Sequence, residues 1–263
     1  MSENNRKLRV GIDTGGTFTD IVGVKTDTGE IFSTKTPTTT SDPSIGLMQG
    51  IDKILKETKM RNQDISGIYH GTTVATNAIL EERFDNLALI ITSGFRHLLE
   101  IGLATQKDNS TDSTNFISKI IQEPLKALVP PERIFEVEER ISPTGEILNT
   151  LSEKEIFLLP RKFKEIGISS VGICLLHSYV NSTHEKLIRD IFEKDFPECE
   201  LSISSSVSPE PGEYDRAITT LLDSFIKPHV KSYLGKSSGK IEEKYKNVPF
   251  LIMKSNGGVA SNE

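Results

Sequence analysis

The chain has 263 residues, 36% of them apolar, with a formal net charge of −6 and a pI near 5.5. That supplies enough apolar material for one large or two smaller cores, and the lack of any long Lys/Arg block argues against nucleic acid as a partner. No apolar run approaches the ~18 residues that a membrane span requires, the polar start MSENNRKLRV does not resemble a leader, and two cysteines, Cys174 and Cys199, fit reduced thiols in a cytoplasmic setting better than a disulfide framework.

Short apolar runs bounded by turn residues predict three strands at LRVGID, DIVGV and EIFSTKT, joined by a Gly-rich turn and by KTDTGE. A helix follows from the cap-like Ser41-Asp42, with Pro43 in its first turn and Ile45, Met48, Ile51, Ile54 and Leu55 at helical spacing. Next come a strand at ISGIYHG, a helix at VATNAILEER and a strongly apolar strand at NLALIIT. The polar, aperiodic segment from Ala104 to Asn115 reads as a mobile loop. Arg133 to Leu148 alternates around Pro143-Thr144-Gly145, which predicts a hairpin.

Strand and helix then alternate: a helix from Ser152 to Glu165 with a kink or break at Pro160, a strand at SVGICLLHS, a helix from Ser182 to Lys194 and a strand at ELSISSSV. This alternation predicts an α/β layered domain with parallel pairing in its later part. A long helix from Gly212 to about Lys227 should stop at Pro228. A solvated, Lys-rich stretch leads from there to a last strand at VPFLIMKSNGG, which reads as the opening of another domain.

The first turn carries the chemistry. RVGIDTGGTFTDIVGV places Asp13 at the end of a strand, followed by Gly15, Gly16 and hydroxyl residues. Backbone amides in such a turn can share one concavity and bind an anion, and glycine lets a phosphate oxygen come close. Thr17 and Thr19 would add hydroxyl donors on one side while Phe18 turns the other way. Asp13 would then hold Mg2+ through water beside the phosphates. Two other readings compete. An aspartic protease needs a second aspartate, but the second Asp-Thr-Gly, at Asp27, has the neighbours of a polar turn. A Gly-Gly hairpin without any ligand is the plain structural alternative.

Two later clusters read as architecture. His177, Tyr179, Asn181, His184 and Glu185 have near-metal composition, but their spacing crosses a strand-to-helix junction, and Ser182 with Glu185 fits a capping box. Glu213, Tyr214, Asp215 and Arg216 open a helix, where acidic residues oppose the helix dipole.

GIDTGGTFTD, followed some fifty residues on by HGTTVATNAILE, closely resembles the hydantoinase/oxoprolinase family, and GICLLHSYVNSTHE, SPEPGEYDRAITTLLDSFIKP and MKSNGGVAS resemble its downstream blocks in order. The resemblance implies the fold of the actin, sugar-kinase and heat-shock ATPase superfamily. On this basis residues 1–207 are expected to form an α/β, ribonuclease-H-like first lobe with a mixed sheet and an α/β extension. Residues 208–263 would be a connecting helix and the incomplete start of a second lobe.

The resemblance also implies ATP-dependent chemistry on a carbonyl. The family opens cyclic amides of the oxoproline or hydantoin type, or carboxylates ketones, by phosphorylating an oxygen before water or bicarbonate attacks. Asp13 would serve Mg2+ and the attacking oxygen. Gly15, Gly16, Thr17, Thr19 and Gly71 would cradle the phosphates. His70, Thr72 and Thr73, with Asn77, would face the transferred phosphoryl group or the substrate carbonyl from the start of a helix, where N–H groups favour anions. His70 has an alternative as a hydrogen-bonded histidine at a strand end. Asp20 either supports the site or steadies the turn.

The chain departs from the family in two places. Relatives carry an Arg- and Tyr-bearing stretch after the equivalent of Glu100-Ile101-Gly102, where this chain has LATQKDNSTDSTN, so that segment is expected to help choose the substrate. The family's second phosphate loop and adenosine pocket lie beyond the SNGG block. The chain is therefore expected to be a fragment, a truncated product or a non-catalytic or catalytic subunit of an oligomeric enzyme, needing a C-terminal lobe or partner subunit and turning over little ATP alone.

Overall fold

A computed structural model of the chain describes residues 7–39, 42–81, 84, 86–107 and 128–261. The chain divides into two compact units, one of residues 1–82 with 229–263 and one of residues 83–228.

In the first unit, β1 (Leu8–Thr14), β2 (Phe18–Lys25) and β3 (Ile31–Pro37) form the expected antiparallel meander. Helix α1 (Pro43–Thr58) starts where the cap residue predicts: the Asp42 carboxylate accepts from the Ser44 amide at 3.2 Å, and Pro43 occupies the first turn. Ser41 lies outside the described residues. The chain then returns as β4 (Ile65–Thr72), parallel to β1, and α2 (Val74–Leu80) follows it. The sheet is completed by β11 (Phe250–Met253), parallel to β4, and β12 (Val259–Ser261), giving the order β12-β11-β4-β1-β2-β3. This is the mixed sheet of a ribonuclease-H-like lobe.

Leu8, Val10, Ile12, Ile21 and Ile68 form one face of that sheet and pack with Leu47, Ile51 and Ile54 of α1. Burying each of these side chains contributes about 1.5–3 kcal/mol. The opposite parity, Arg9, Asp13, Phe18, Asp20 and Val22, is exposed.

In the second unit, β5 (Leu87–Thr92), β6 (Ile134–Val137), β9 (Ser170–Cys174) and β10 (Glu200–Ile203) form an all-parallel sheet in the order β10-β9-β5-β6. Every residue of β5 and β9 is buried, as strands covered on both faces must be. Helix α3 (Leu98–Lys107) follows β5, so Ala104–Lys107 continue a helix where a loop was expected; residues 108–115 lie outside the described residues. The hairpin expected from Arg133 to Leu148 is divided. Its first part is β6 of the parallel sheet, and only β7 (Arg140–Ile141) and β8 (Ile147–Asn149) pair around the Pro143-Thr144-Gly145 turn. The break expected at Pro160 is present: α4 (Glu153–Ile156) ends, and α5 (Leu159–Glu165) restarts with Pro160 in its first turn. Helix α6 (Thr183–Asp195) precedes β10, and the single turn α7 (Ser204–Val207) follows it.

The last quarter of the chain corrects two expectations. Helix α8 (Glu213–Tyr245) does not stop at Pro228 but continues for another 17 residues. A proline inside a helix costs ~3 kcal/mol. Buried side chains on both sides offset that cost: Ala217, Leu221 and Phe225 before it, and Tyr233, Ile241 and Tyr245 after it. The Lys-rich stretch is thus helical. The final strand opens no new domain; it joins the first sheet as β11, because Phe250 to Ile252 pair with Ile68 to His70. The two units accordingly divide elsewhere than between residues 207 and 208. Among the described residues no helix is long and apolar enough to cross a membrane.

Of the near-metal cluster, His184 and Glu185 belong to a buried polar network in the second unit. His184 Nδ1 stands 2.7 Å from Glu139 Oε2, and the other oxygen of Glu139 accepts from Thr92 Oγ1. Ser182 makes no side-chain cap bond, and Glu185 turns inward instead. Its Oε1 accepts from the Leu175 amide, Ser178 Oγ and Ser204 Oγ, while Oε2 accepts from the Ser205 amide. Arg216 is fully buried and donates through Nη2 to Leu175 O at 3.0 Å, to Ser204 Oγ at 2.5 Å and to Ser178 Oγ. Two serine hydroxyls therefore bridge a buried anion to a buried cation.

Two outcomes are expected. A Cβ at Gly50 of α1 would stand 2.2 Å from Ile21 Cδ1. Gly50→Ala should therefore lower the urea midpoint despite the ~1 kcal/mol gained in helix propensity, overpacking costing about 1–3 kcal/mol. Arg216→Leu leaves the Glu185 carboxylate buried without a counter-charge, and urea denaturation should show a loss of about 3–5 kcal/mol, part of it recovered by the Arg216→Leu/Glu185→Leu double variant.

Candidate functional site

The parallel pairing of β1 and β4 brings two strand ends together, with Asp13 opposite Gly71 and Thr14 opposite Thr72. From β1 the chain passes into the three-residue turn of Gly15, Gly16 and Thr17, closed by the Gly15 amide donating to Phe18 O at 3.0 Å. From β4 it passes into Thr73 and α2. Thr73 is tied back to the hairpin, its amide and hydroxyl donating to Thr14 O at 3.1 and 3.3 Å. Asn77, one turn into α2, donates to Thr73 Oγ1 at 3.4 Å, and a Cβ at Gly16 would stand 3.3 Å from its Nδ2. A Cβ at Gly71 would stand 3.6 Å from Asp13 Oδ1, so the bare glycine leaves that oxygen uncovered.

Asp13 is exposed and, among the described residues, has no ionic partner. Directly across the strand pair lies Asp20, and across the next pair Lys35, which bridges Asp20 at 3.1 Å. Like charges directly opposite each other in a sheet are unfavourable, and Lys35 relieves only Asp20. Asp13 is left as an accessible carboxylate. With the uncovered Gly71 edge and the Gly15-Gly16 turn beside it, this is an oxygen donor that suits Mg2+ next to phosphates.

Thr19, expected in the cradle, and His70, expected to face the transferred phosphoryl group or the substrate carbonyl, both lie on the buried side of the sheet. Thr19 lies on the inward parity of β2, is fully buried, and shares a 3.0 Å hydrogen bond with Thr38 Oγ1, so its hydroxyl is engaged inside the lobe. His70 is also fully buried, its Nε2 2.8 Å from Tyr233 Oη, with its ring stacked on Phe250 at 5.7 Å. It therefore stands behind the cradle, not in it. Burial pushes its pKa down from 6.5 to about 4, with the Ile12 backbone opposing that shift only weakly. The imidazole is neutral across the physiological range.

The helix start offers less to an anion than expected. Helix α2 has only seven residues, Thr72 Oγ1 accepts the Val74 amide at 3.2 Å, and the Thr73 amide is engaged by Thr14. The protease alternative fails on position. Asp27 lies in the turn after β2, at the opposite end of the hairpin from Asp13, and is paired with Lys7 at 2.9 Å.

Sequence reasoning missed Tyr233, whose hydroxyl also stands 3.3 Å from Thr14 Oγ1. A signal existed: Tyr233, Ser237, Ile241 and Tyr245 recur at four-residue spacing within the Lys-rich stretch, and all four are buried.

Residues 9–196 match the family model described as the hydantoinase/oxoprolinase N-terminal region. The chain belongs to the hydantoinase/oxoprolinase family. An uncharacterized protein of Methanocaldococcus jannaschii is 33% identical, over 96% of this chain and 36% of that relative. The acetophenone carboxylase gamma subunit of Aromatoleum aromaticum is 29% identical, over 95% of this chain and 35% of that subunit. Among solved structures, the ATP-dependent caprolactamase from Pseudomonas jessenii matches with a TM-score of 0.84 at 28% identity, over 97% of this chain and 36% of that chain. This chain thus spans about a third of the length of these relatives. As a member of the family it has the actin-like ATPase type of lobe, with the expected Asp13 turn at its sheet edge.

The His70 environment makes a pH prediction. The folded-state pKa lies below the unfolded value, so the neutral form contributes its full stability above pH 6.5 and loses it as pH falls towards 4. The shift corresponds to about 3 kcal/mol. Urea titrations of the unaltered chain and of His70→Gln should diverge over that window, with the acid-induced loss shallower in the variant.

Proposed function

We propose that this chain is the triphosphate-binding, N-terminal part of an ATP-dependent enzyme that opens cyclic amides. The observation that supports the reading most is Asp13: an exposed carboxylate without an ionic partner among the described residues, beside two consecutive glycines and across from a third. In this reading Asp13 holds Mg2+ through water, since magnesium takes oxygen ligands and keeps several waters. The Gly15 and Gly16 backbone and the Thr17 hydroxyl receive the β- and γ-phosphate oxygens, and Gly71 leaves room beside them. Thr72, Thr73 and Asn77 border the same turn and line the side from which the acceptor approaches. Lys35 holds Asp20 and so limits the negative charge near Asp13.

Bound ATP would supply the electrophilic phosphoryl group that activates an amide carbonyl for attack by water. The likeness to a caprolactamase named as ATP-dependent supports both nucleotide and substrate class. The carboxylase-subunit relative favours a second reading, in which the activated carbonyl compound is a ketone and the attacking species bicarbonate. Both readings take the rest of the enzyme, as a C-terminal lobe or partner subunit in a larger assembly, to complete the site and exclude water. Cys174 and Cys199 are free and buried, and burial pushes each thiol up to about 12; two unpaired thiols fit a reducing, cytoplasmic setting.

Calorimetric titration with MgATP provides the test. Asp13→Asn should weaken binding at least tenfold without moving the melting temperature, and equal affinity in the variant overturns the assignment. In the assembled enzyme, ring opening without bicarbonate separates the amidohydrolase from the carboxylase.

A further inference from the structure

Thr14 and His70 sit at the last turns of the ladder between β1 and β4, one residue from Asp13 and one from Gly71 respectively. Both side chains point to the buried side of the sheet, where they meet a single hydroxyl: Tyr233 Oη stands 2.8 Å from His70 Nε2 and 3.3 Å from Thr14 Oγ1. The Tyr233 ring lies tilted 5.5 Å from the imidazole, and Phe250 stacks on the imidazole at 5.7 Å. All four residues belong to the first unit.

We propose that Tyr233 is a positioning residue for the phosphate cradle, its hydroxyl clamping together the two strand ends from which the Gly15-Gly16 turn and the Gly71 edge depart. This rests on the reading of that turn as the triphosphate site. The backbone ladder ends at the pair Thr14 and Thr72, beyond which the two loops diverge. Past that point the Thr73 bonds to Thr14 O tie the loops together, while the Tyr233 hydroxyl braces the end of the ladder itself from its buried side, at Thr14 and His70. The imidazole, neutral because it is buried, presents Nε2 to the hydroxyl, and the aromatic bracket fixes its ring plane. Loss of the hydroxyl would leave two buried polar atoms unpaired at the base of the cradle. They would seek partners by rotation of His70 and movement of the Thr14 end. The ring of phenylalanine would keep the packing but not the clamp.

The experiment titrates the assembled enzyme, this chain together with its C-terminal lobe or partner subunit, with magnesium tripolyphosphate and with MgATP, comparing Tyr233→Phe with Tyr245→Phe. Tyr245 lies on the same helix and loses a hydrogen bond of the same kind, to Asp52 Oδ1 at 3.1 Å, far from the turn in sequence and in the sheet. Tyr233→Phe should weaken both ligands at least tenfold and shift the His70 imidazole nitrogen resonances. Tyr245→Phe should lower the melting temperature comparably yet bind as the unaltered chain does. Equal binding by all three proteins overturns the positioning role alone, as does equal weakening in both variants, which would mark a general loss of stability. Failure of the unaltered chain to bind either ligand overturns the nucleotide reading and this inference together. Should Tyr233→Phe not fold, Thr14→Val breaks the clamp from its other end; weakened binding supports the proposal and unchanged binding overturns it.

Discussion

The parallel pairing of β1 with β4 is the contact on which the candidate site depends. These strands are separated in sequence by a meander and a helix, so the pairing forms only when α1 covers the Leu8, Val10 and Ile12 face and closes the crossover. Because the strands are parallel, both carboxyl ends reach the same sheet edge, and two unrelated loops leave from neighbouring points. The Asp13 turn and the Gly71 edge meet for that reason alone. An antiparallel pairing would have placed them at opposite ends.

Strand parity then sorts residues with similar chemistry into different roles. Asp13 and Asp20 share the exposed face and are set against each other, while Thr14, Thr19 and His70 share the buried one. The buried set makes hydrogen bonds inside the lobe, with Tyr233 and Thr38, and cannot serve a ligand at the turn directly. Burial costs His70 its charge but gives it a fixed ring and one defined partner. On the exposed face Asp13 has no ionic partner among the described residues, whereas Asp20 is bridged by Lys35.

The second unit balances charge internally. Glu185 and Arg216 are both buried and meet through Ser178 and Ser204, with the Leu175 carbonyl and the Leu175 and Ser205 amides completing the set. Taking two charges out of water is costly, and the repayment comes from the number of hydrogen bonds. The residues concerned come from the end of β9, the start of α6, α7 and the first turn of α8, so the network specifies how those segments meet. Here side chains that resemble a metal site by composition, His184 and Glu185 among them, are engaged with Glu139 and with the serines.

Local signals in the sequence determined much of this protein. The short apolar run from Leu8 to Asp13, the Asp42-Pro43 helix start, the Gly15-Gly16 turn and the break near Pro160 are all properties of a few neighbouring residues, and each is present as read. The linear motif likewise identified the family. Only the tertiary structure decided which members of the motif face outward, since Thr17 and Thr19 are equivalent hydroxyls until the pleat of β2 and the cover of α1 separate them. It also decided that α8 passes through Pro228, that VPFLIM joins the first sheet, and that Tyr233 reaches Thr14 and His70. Those outcomes rest on burial between segments far apart in the chain, which offsets local costs such as an internal proline and which no short window of sequence contains.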